Sequence, residues 1–429
     1  MTRVVVLGGA GAVGSVAART LALVPGFDEV VICDLNEARI RELAQSLNKP
    51  GVTWRKVDVL DKAALSAAIA DATLVVNCVG PFYKFVKPIL ETVIECGKDY
   101  LDVCDDVDVT TSILEWDAKV KQKGLRAVIG MGNSPGITNL MARFAADHLF
   151  DKVDAVDIFH AHGGEPTEGP GVIAHRFHCM TIEIPMYLDS ELKYVKFFDA
   201  GGLALREQVD FPLVGDNLTV YPYPHPEQVT IPHYIKTNRV TNKGTVVPQE
   251  YYDLISDVVK AGGHSKEPVV KDGKTVIPYD ESIRYILAER ERILQELKFG
   301  SQRGAVKIVV SGTKKGKFAK YEFVLASKDQ ALGEGTGIPA AMGAILMLKG
   351  KITRKGVYPP EAGVDPLEFM KLVKTVISLT QKNKSFKGLQ VWKTDQSGRR
   401  KEVNATLVFT KLYIWRAIKS LFTRKAKES

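Results

Sequence analysis

The run Val4-Val5-Val6-Leu7 shows no apolar/polar alternation, which predicts a strand buried on both faces, as in a parallel sheet. Similar short runs recur at Glu29–Cys33, Thr53–Val57, Thr73–Asn77, Tyr100–Asp102 and Arg126–Gly130. Between them, Asn36–Leu47, Lys62–Ile69, Phe85–Cys96 and Trp116–Lys123 carry helical spacing. Strands alternating with helices predict a doubly wound α/β sheet. The turn Met131–Asn139 leads into a helix ending near Phe150 and marks the exit from this first unit. The pattern then changes to strands at Met180–Met186, Tyr194–Phe198, Gln228–Ile231, Ala305–Ser311 and Tyr321–Ala326, separated by polar loops. One long helix is predicted over Glu281–Lys298, with Ile283, Ile286, Leu287, Ile293, Leu294 and Leu297 as its apolar face. Val403–Thr410 reads as a further strand, and Thr410–Lys425 as an amphipathic helix with Leu412, Trp415, Ile418 and Phe422 on one side.

The first strand runs straight into Gly9-Ala10-Gly11-Ala12-Val13-Gly14, and an Ala- and Leu-rich helix begins inside that motif. Strand, G-x-G-x-x-G and helix in this order predict a dinucleotide site. Gly9 lets the chain leave the strand, Gly11 leaves bare backbone for a pyrophosphate, and Gly14 allows close helix packing. The second strand ends in Asp34, 20 residues after Gly14, where a carboxylate suits the two ribose hydroxyls. Asp34 favours NAD. Arg39, one helical turn on, leaves NADP open. Ligands of such sheets lie beyond the carboxyl ends of the strands, so Asp58, Val59 and the Cys78-Val79-Gly80-Pro81 turn are expected to face the cofactor.

Composition narrows the class. Residues 371–429 hold 15 Lys/Arg against 3 Asp/Glu, so the net charge of +8 conceals a mildly acidic body and a basic tail. A nucleic-acid partner has no electrostatic support from such a body. The basic tail helix can lie on an anionic membrane, but docking on the body or on a dimer partner, or a solvated basic face, is the favoured reading. The apolar stretch Gly337–Leu348 is too short to span a bilayer. Five cysteines with no C-x-x-C pair suit reduced thiols and a cytoplasmic location.

Read together, GAGAVG, Asp34, Asn77-Cys-Val-Gly-Pro81, Tyr100-Leu-Asp102, Gly132-Asn-Ser-Pro-Gly136-Ile and Gly163-Gly164 resemble the saccharopine dehydrogenase family. Gly335-Thr-Gly337-Ile-Pro339 through Ile352, and Lys355-Gly-Val-Tyr358-Pro-Pro-Glu361, are similar to that family's closing segment. The resemblance implies a Rossmann domain over 1–135, an inserted α+β substrate and dimerisation domain over 136–330, and a segment over 331–370 returning to the first domain. Residues 371–429 are then a basic extension. The implied activity moves hydride between a nicotinamide and the C–N carbon of an amino-acid substrate, in a homodimer. The rival reading is a non-catalytic dinucleotide sensor that uses its basic tail.

Such chemistry needs a proton donor or acceptor and a cation for a carboxylate. By the resemblance, Asp102 and Asp105 stand where a carboxylate faces the substrate, and Gly163-Gly164 turns beside it. Tyr83 and Lys87 spell Tyr-x-x-x-Lys, with Tyr83 the candidate catalytic group and Lys87 a solvated charge. Four of the eight histidines (His160, His162, His175 and His178) fall within 19 residues. His160 and His162 share a strand face. This spacing matches no standard zinc pattern, so no metal is expected and His162 is taken as catalytic. Arg176 is the candidate carboxylate clamp. Tyr221–Pro226, rich in proline, reads as a rigid structural loop.

Overall fold

A computed structural model describes residues 2–24, 26–166, 168–271, 273–380, 388–413 and 416. The first unit alternates β1 (Arg3–Leu7), α1 (Ala12–Leu23), β2 (Glu29–Asp34), α2 (Glu37–Leu47), β3 (Val52–Lys56), α3 (Lys62–Ile69), β4 (Leu74–Asn77), α4 (Phe82–Glu95) and β5 (Asp99–Asp102). Two short helices, α5 (Val107–Leu114) and α6 (Asp117–Gln122), precede β6 (Arg126–Val128), and α7 (Ile137–His148) leads out. The strands lie parallel in the order β3-β2-β1-β4-β5-β6, and Gly356–Tyr358 returns to pair with β6. Chain order reverses between β1 and β4, and at that reversal an open α/β sheet forms its ligand crevice. Burial on both faces explains the unbroken apolar runs. Val4 and Val6 share a cluster with α1 and the helix Leu332–Leu348, whereas Val5 and Leu7 share one with α3 and α4.

The second sheet is mixed and centres on β7 (Lys152–Gly163), flanked by the parallel strand Arg239–Val246 and the antiparallel strand Arg303–Lys314. Outward on one side come Lys317–Ser327, Gln390–Asp395 and Arg400–Val403. Part of the basic tail is thus built into this sheet rather than standing apart. Lys371, on the helix Pro366–Thr380, donates to the Tyr413 hydroxyl, and Arg416 pairs with Asp365, just before that helix. Trp415 and 417–429, which hold most of the predicted tail helix, lie outside the described residues. No helix among the described residues is long and apolar enough to cross a membrane.

Three strand expectations fail for one reason: short apolar runs do not distinguish strand from buried helix. Gln228–Ile231 lies in the helix Glu227–Tyr234. Met180–Met186 is split between α8 (Pro170–Thr181) and the strand Glu183–Leu188. Residues 405–413 are helical, with strand only over Arg400–Val403.

Candidate functional site

A cavity of about 490 Å³ lies between the two sheets, at the carboxyl edge of the parallel one. Gly11, Ala12 and Val13 line it, as do Cys78, Gly80 and Pro81. Local sequence makes this end a nucleotide cradle. Gly8 takes φ +77°, and a Cβ on Gly14 would stand 2.1 Å from the Gly8 carbonyl oxygen, so only glycine lets α1 start this close to the turn. At Gly11 the nearest atom to an added Cβ is the Gly8 oxygen at 3.3 Å, leaving space beside bare backbone. The first turn of α1 has no side-chain cap and no acidic residue, so its N–H groups are available to an anion. These features fit the pyrophosphate of a dinucleotide.

Gly9, Ala10, Gly14 and Val79 belong to the same two turns but do not line the cavity. Asp34, Asp58 and Val59 also lie off it, at or just past the ends of β2 and β3. Asp34 Oδ2 accepts from the Ala10 N–H at 2.9 Å, which ties it to the glycine turn. Arg39 is exposed.

Four residues expected at the substrate, Asp102, Tyr83, Gly163 and Gly164, do not line the cavity. Asp102 is fully buried and does not reach the cavity. Its Oδ1 accepts from the Gly130 and Cys104 N–H groups at 2.7 and 3.1 Å, and its Oδ2 from the Tyr100 hydroxyl at 2.9 Å. Tyr100 in turn accepts from Asn77, so Asp102 clamps the ends of β4, β5 and β6. Burial pushes its carboxyl up to about 6. Tyr83 stacks on His178 at 4.7 Å, also away from the cavity. Gly163 and Gly164 serve packing, because a Cβ would meet the Val247 carbonyl at 1.8 Å or Phe299 at 2.5 Å.

Other expected groups do converge. His160 and His162 line the cavity from one face of β7. His162 Nδ1 lies 2.5 Å from Glu165, whose carboxyl sits at about 2 because the His162 charge and hydrogen bond outweigh burial. Burial holds His160 well below the usual imidazole range, so it is neutral. Arg176 and His175 come from α8, whose Ile173, Phe177 and Met180 face the core. Arg176 is not a free clamp. Its Nη1 donates to Glu168 at 2.5 Å and to Tyr251 at 3.0 Å, while its Nη2 is buried without a partner. Asp105 lines the same cavity, and its Oδ1 is likewise buried and unpartnered.

His175 sits between two carboxylates, with Nε2 3.6 Å from Asp105 and Nδ1 3.2 Å from Asp106. Cys179 Sγ stands nearer to Nε2, at 3.4 Å. Despite the penalty of burial, Cys179, Asp105 and Asp106 together hold His175 well above its usual range. Asp106, Asp108 and His178 form a neighbouring cluster of metal-ligand types.

Composition and spacing gave no hint of the group behind the histidines. Tyr223 and His225, from the segment read as structural, line the cavity. His225 is joined by Ser134, Glu227 and Asn242, which come from three separate parts of the chain. A helical reading of 170–181, with Pro170 at its start, would have placed His175, Arg176 and Cys179 on one face. Nothing local marks Ser134 or Glu227.

Glu361 is buried behind this group, with Oε2 accepting from Asn139 at 2.9 Å, and burial pushes its carboxyl up to about 7. An unfolded chain loses this proton near 4.5, so between pH 4.5 and 7 the folded state binds more protons and stability falls as pH rises. The expected loss across that window is about 3 kcal/mol, and the Glu361→Gln variant should lack it. Urea unfolding midpoints at pH 5 and 8 measure this.

Comparison with known proteins agrees with this architecture. A family model described as saccharopine dehydrogenase NADP binding domain matches residues 4–128, and one described as saccharopine dehydrogenase C-terminal domain matches residues 132–378. The chain is 24% identical to a carboxyaminopropylagmatine dehydrogenase from Synechocystis sp. over 395 residues, covering 86% of this chain and 94% of the relative. It is also 24% identical to a carboxynorspermidine synthase from Vibrio cholerae, with the same coverage of 86% and 94%. The solved apo saccharopine dehydrogenase (L-Glu forming) from Saccharomyces cerevisiae shares the fold, with a TM-score of 0.62 at 15% identity over 94% of this chain and 100% of that one. The chain belongs to the saccharopine dehydrogenase family of NAD(P)-dependent oxidoreductases.

Proposed function

We propose that this enzyme makes or breaks the C–N bond of an amino acid joined through nitrogen to a polyamine-like chain. One observation carries the reading: Arg176 Nη2 and Asp105 Oδ1, of opposite charge, are both buried at the cavity without hydrogen-bond partners among the described residues. A buried polar group without a partner is costly, and a zwitterionic amino-acid head offers a carboxylate to the first and an ammonium to the second. The Synechocystis and Vibrio relatives are named for carboxyl-bearing polyamines, carboxyaminopropylagmatine and carboxynorspermidine. The backbone N–H groups of Ala12, Val13 and Gly14, at the start of α1, hold the pyrophosphate, and Asp34 holds the adenosine ribose, which favours NAD over NADP. When bound, the nicotinamide supplies hydride exchange. Glu168 and Tyr251 keep the Arg176 guanidinium in place, and the His162–Glu165 pair sets the charge of the opposite wall.

Lysine, saccharopine and carboxynorspermidine, each offered with NAD and with NADP, test this through the change in nicotinamide absorbance. Turnover of a carboxylate-bearing amine is expected. Arg176→Gln should lower kcat/KM by about 100-fold, as expected when a buried charge partner of the substrate is truncated. Equal turnover by the variant would remove the proposed head-group site, and tight cofactor binding without turnover of any amine would favour a sensor.

A further inference from the structure

We propose that His225 is the residue that exchanges a proton with the substrate nitrogen, and that Ser134 and Glu227 are positioning residues that hold its ring for that exchange. This inference rests on reading the site as an amine oxidoreductase.

The geometry is that of a base backed by an acid. His225 lines the cavity and is 4% exposed. Its Nδ1 lies 3.2 Å from Ser134 Oγ, 3.2 Å from Asn242 Nδ2 and 3.5 Å from Glu227 Oε2. Glu227 is completely buried, and no lysine or arginine pairs with it among the described residues. Its Oε1 accepts from Ser134 Oγ at 2.5 Å and from Thr138 Oγ1 at 2.8 Å, while Oε2 makes no hydrogen bond. In the Nδ1–H tautomer the ring directs that hydrogen at Ser134 Oγ and Glu227 Oε2 and keeps its lone pair on Nε2. A proton taken up at Nε2 then makes an imidazolium whose Nδ1–H already faces a carboxylate.

The neighbours suit the task. The His160 ring lies parallel to that of His225 at 5.2 Å, and Tyr223 stands edge-on at 5.0 Å. His160 is neutral, so it adds no positive charge against an imidazolium. Asp105, which also lines the cavity, and His160 both feel the His225 charge. Despite its burial, the facing His225 ring and the Ser134 hydroxyl hold the Glu227 carboxyl below the usual range.

The step itself is a balanced proton transfer. An N–H bond of a secondary ammonium substrate breaks and its electron pair stays on nitrogen, while the Nε2 lone pair takes the proton. No electrons change hands in this step. The freed nitrogen pair is what the carbon–nitrogen double bond needs when the substrate is oxidised, and the reverse reaction returns the proton from Nε2.

Protein labelled with ¹⁵N-histidine reports the ring directly, with His225→Gln assigning its signals. In unliganded protein, Glu227→Gln is expected to move the His225 Nδ1 and Nε2 shifts, because the ring loses its facing carboxylate. With a turned-over substrate, Ser134→Ala should lower kcat by about 10- to 100-fold and shift the pH profile, and Ser134→Thr should restore both. His225→Gln should lose about 100-fold or more in kcat with cofactor affinity unchanged. Full kcat in His225→Gln, or unmoved ring shifts in Glu227→Gln, overturns the proposal. Should Glu227→Gln fail to fold, the ring shifts in Ser134→Ala decide in its place. If wild-type protein turns over no amine, the amine reading has failed, and the ring shifts alone then decide whether Glu227 holds His225.

Discussion

Replacing Glu168 by glutamine is expected to destabilise the protein by about 3–5 kcal/mol, the usual cost of leaving a buried charge without its partner. The Glu168, Arg176 and Arg290 side chains are each only 3–4% exposed. Glu168 Oε1 accepts from Arg176 at 2.5 Å and from the Tyr251 hydroxyl at 2.5 Å, and Oε2 accepts from Arg290 at 3.0 Å. One carboxylate thus joins α8, the helix Gln249–Lys260 and the helix Pro278–Glu296 beside the cavity. Glutamine keeps the shape but removes the charge. Arg290 retains Glu291, whereas Arg176 keeps no carboxylate within hydrogen-bond reach. A urea midpoint close to wild type would show that these cations are solvated and that the proposed head-group site is not preformed.

The second large effect is expected in binding. Gly11→Val should fold normally yet lose about 100-fold or more in dinucleotide affinity, near 3 kcal/mol. Gly11 has φ −76° and ψ 167°, ordinary extended backbone that valine adopts without strain. The added side chain would occupy the space left beside the turn, where the pyrophosphate must approach the backbone. Gly14→Val is the contrasting case, because its Cβ would collide with the Gly8 carbonyl and the helix could not start there. Calorimetric titration with NAD and NADP, together with melting curves, separates the two. Wild-type affinity in a folded Gly11→Val protein would place the cofactor elsewhere.

The nucleotide half was legible because its determinants are local. Strand, glycine turn, helix and strand-end acid follow one another within 34 residues, and each has a backbone reason to be where it is. The same locality placed His160 and His162 on one face, since side chains alternate along a strand. Asp102 was a plausible catalytic acid on position alone. The structure turns it inward to two backbone N–H groups and a tyrosine, a matter of side-chain direction that strand position does not settle.

The amino-acid sequence by itself determined the doubly wound sheet, the site for a dinucleotide and the family, because short-range patterns of apolar residues and glycine dictate them. Only the tertiary structure decided which ionisable groups meet. Ser134, His225, Glu227 and Asn242 stand up to 108 positions apart, and Glu168 meets Arg290 across 122. Such pairings arise when packing removes charged and polar groups from water and obliges them to find one another, and no local pattern encodes the partner.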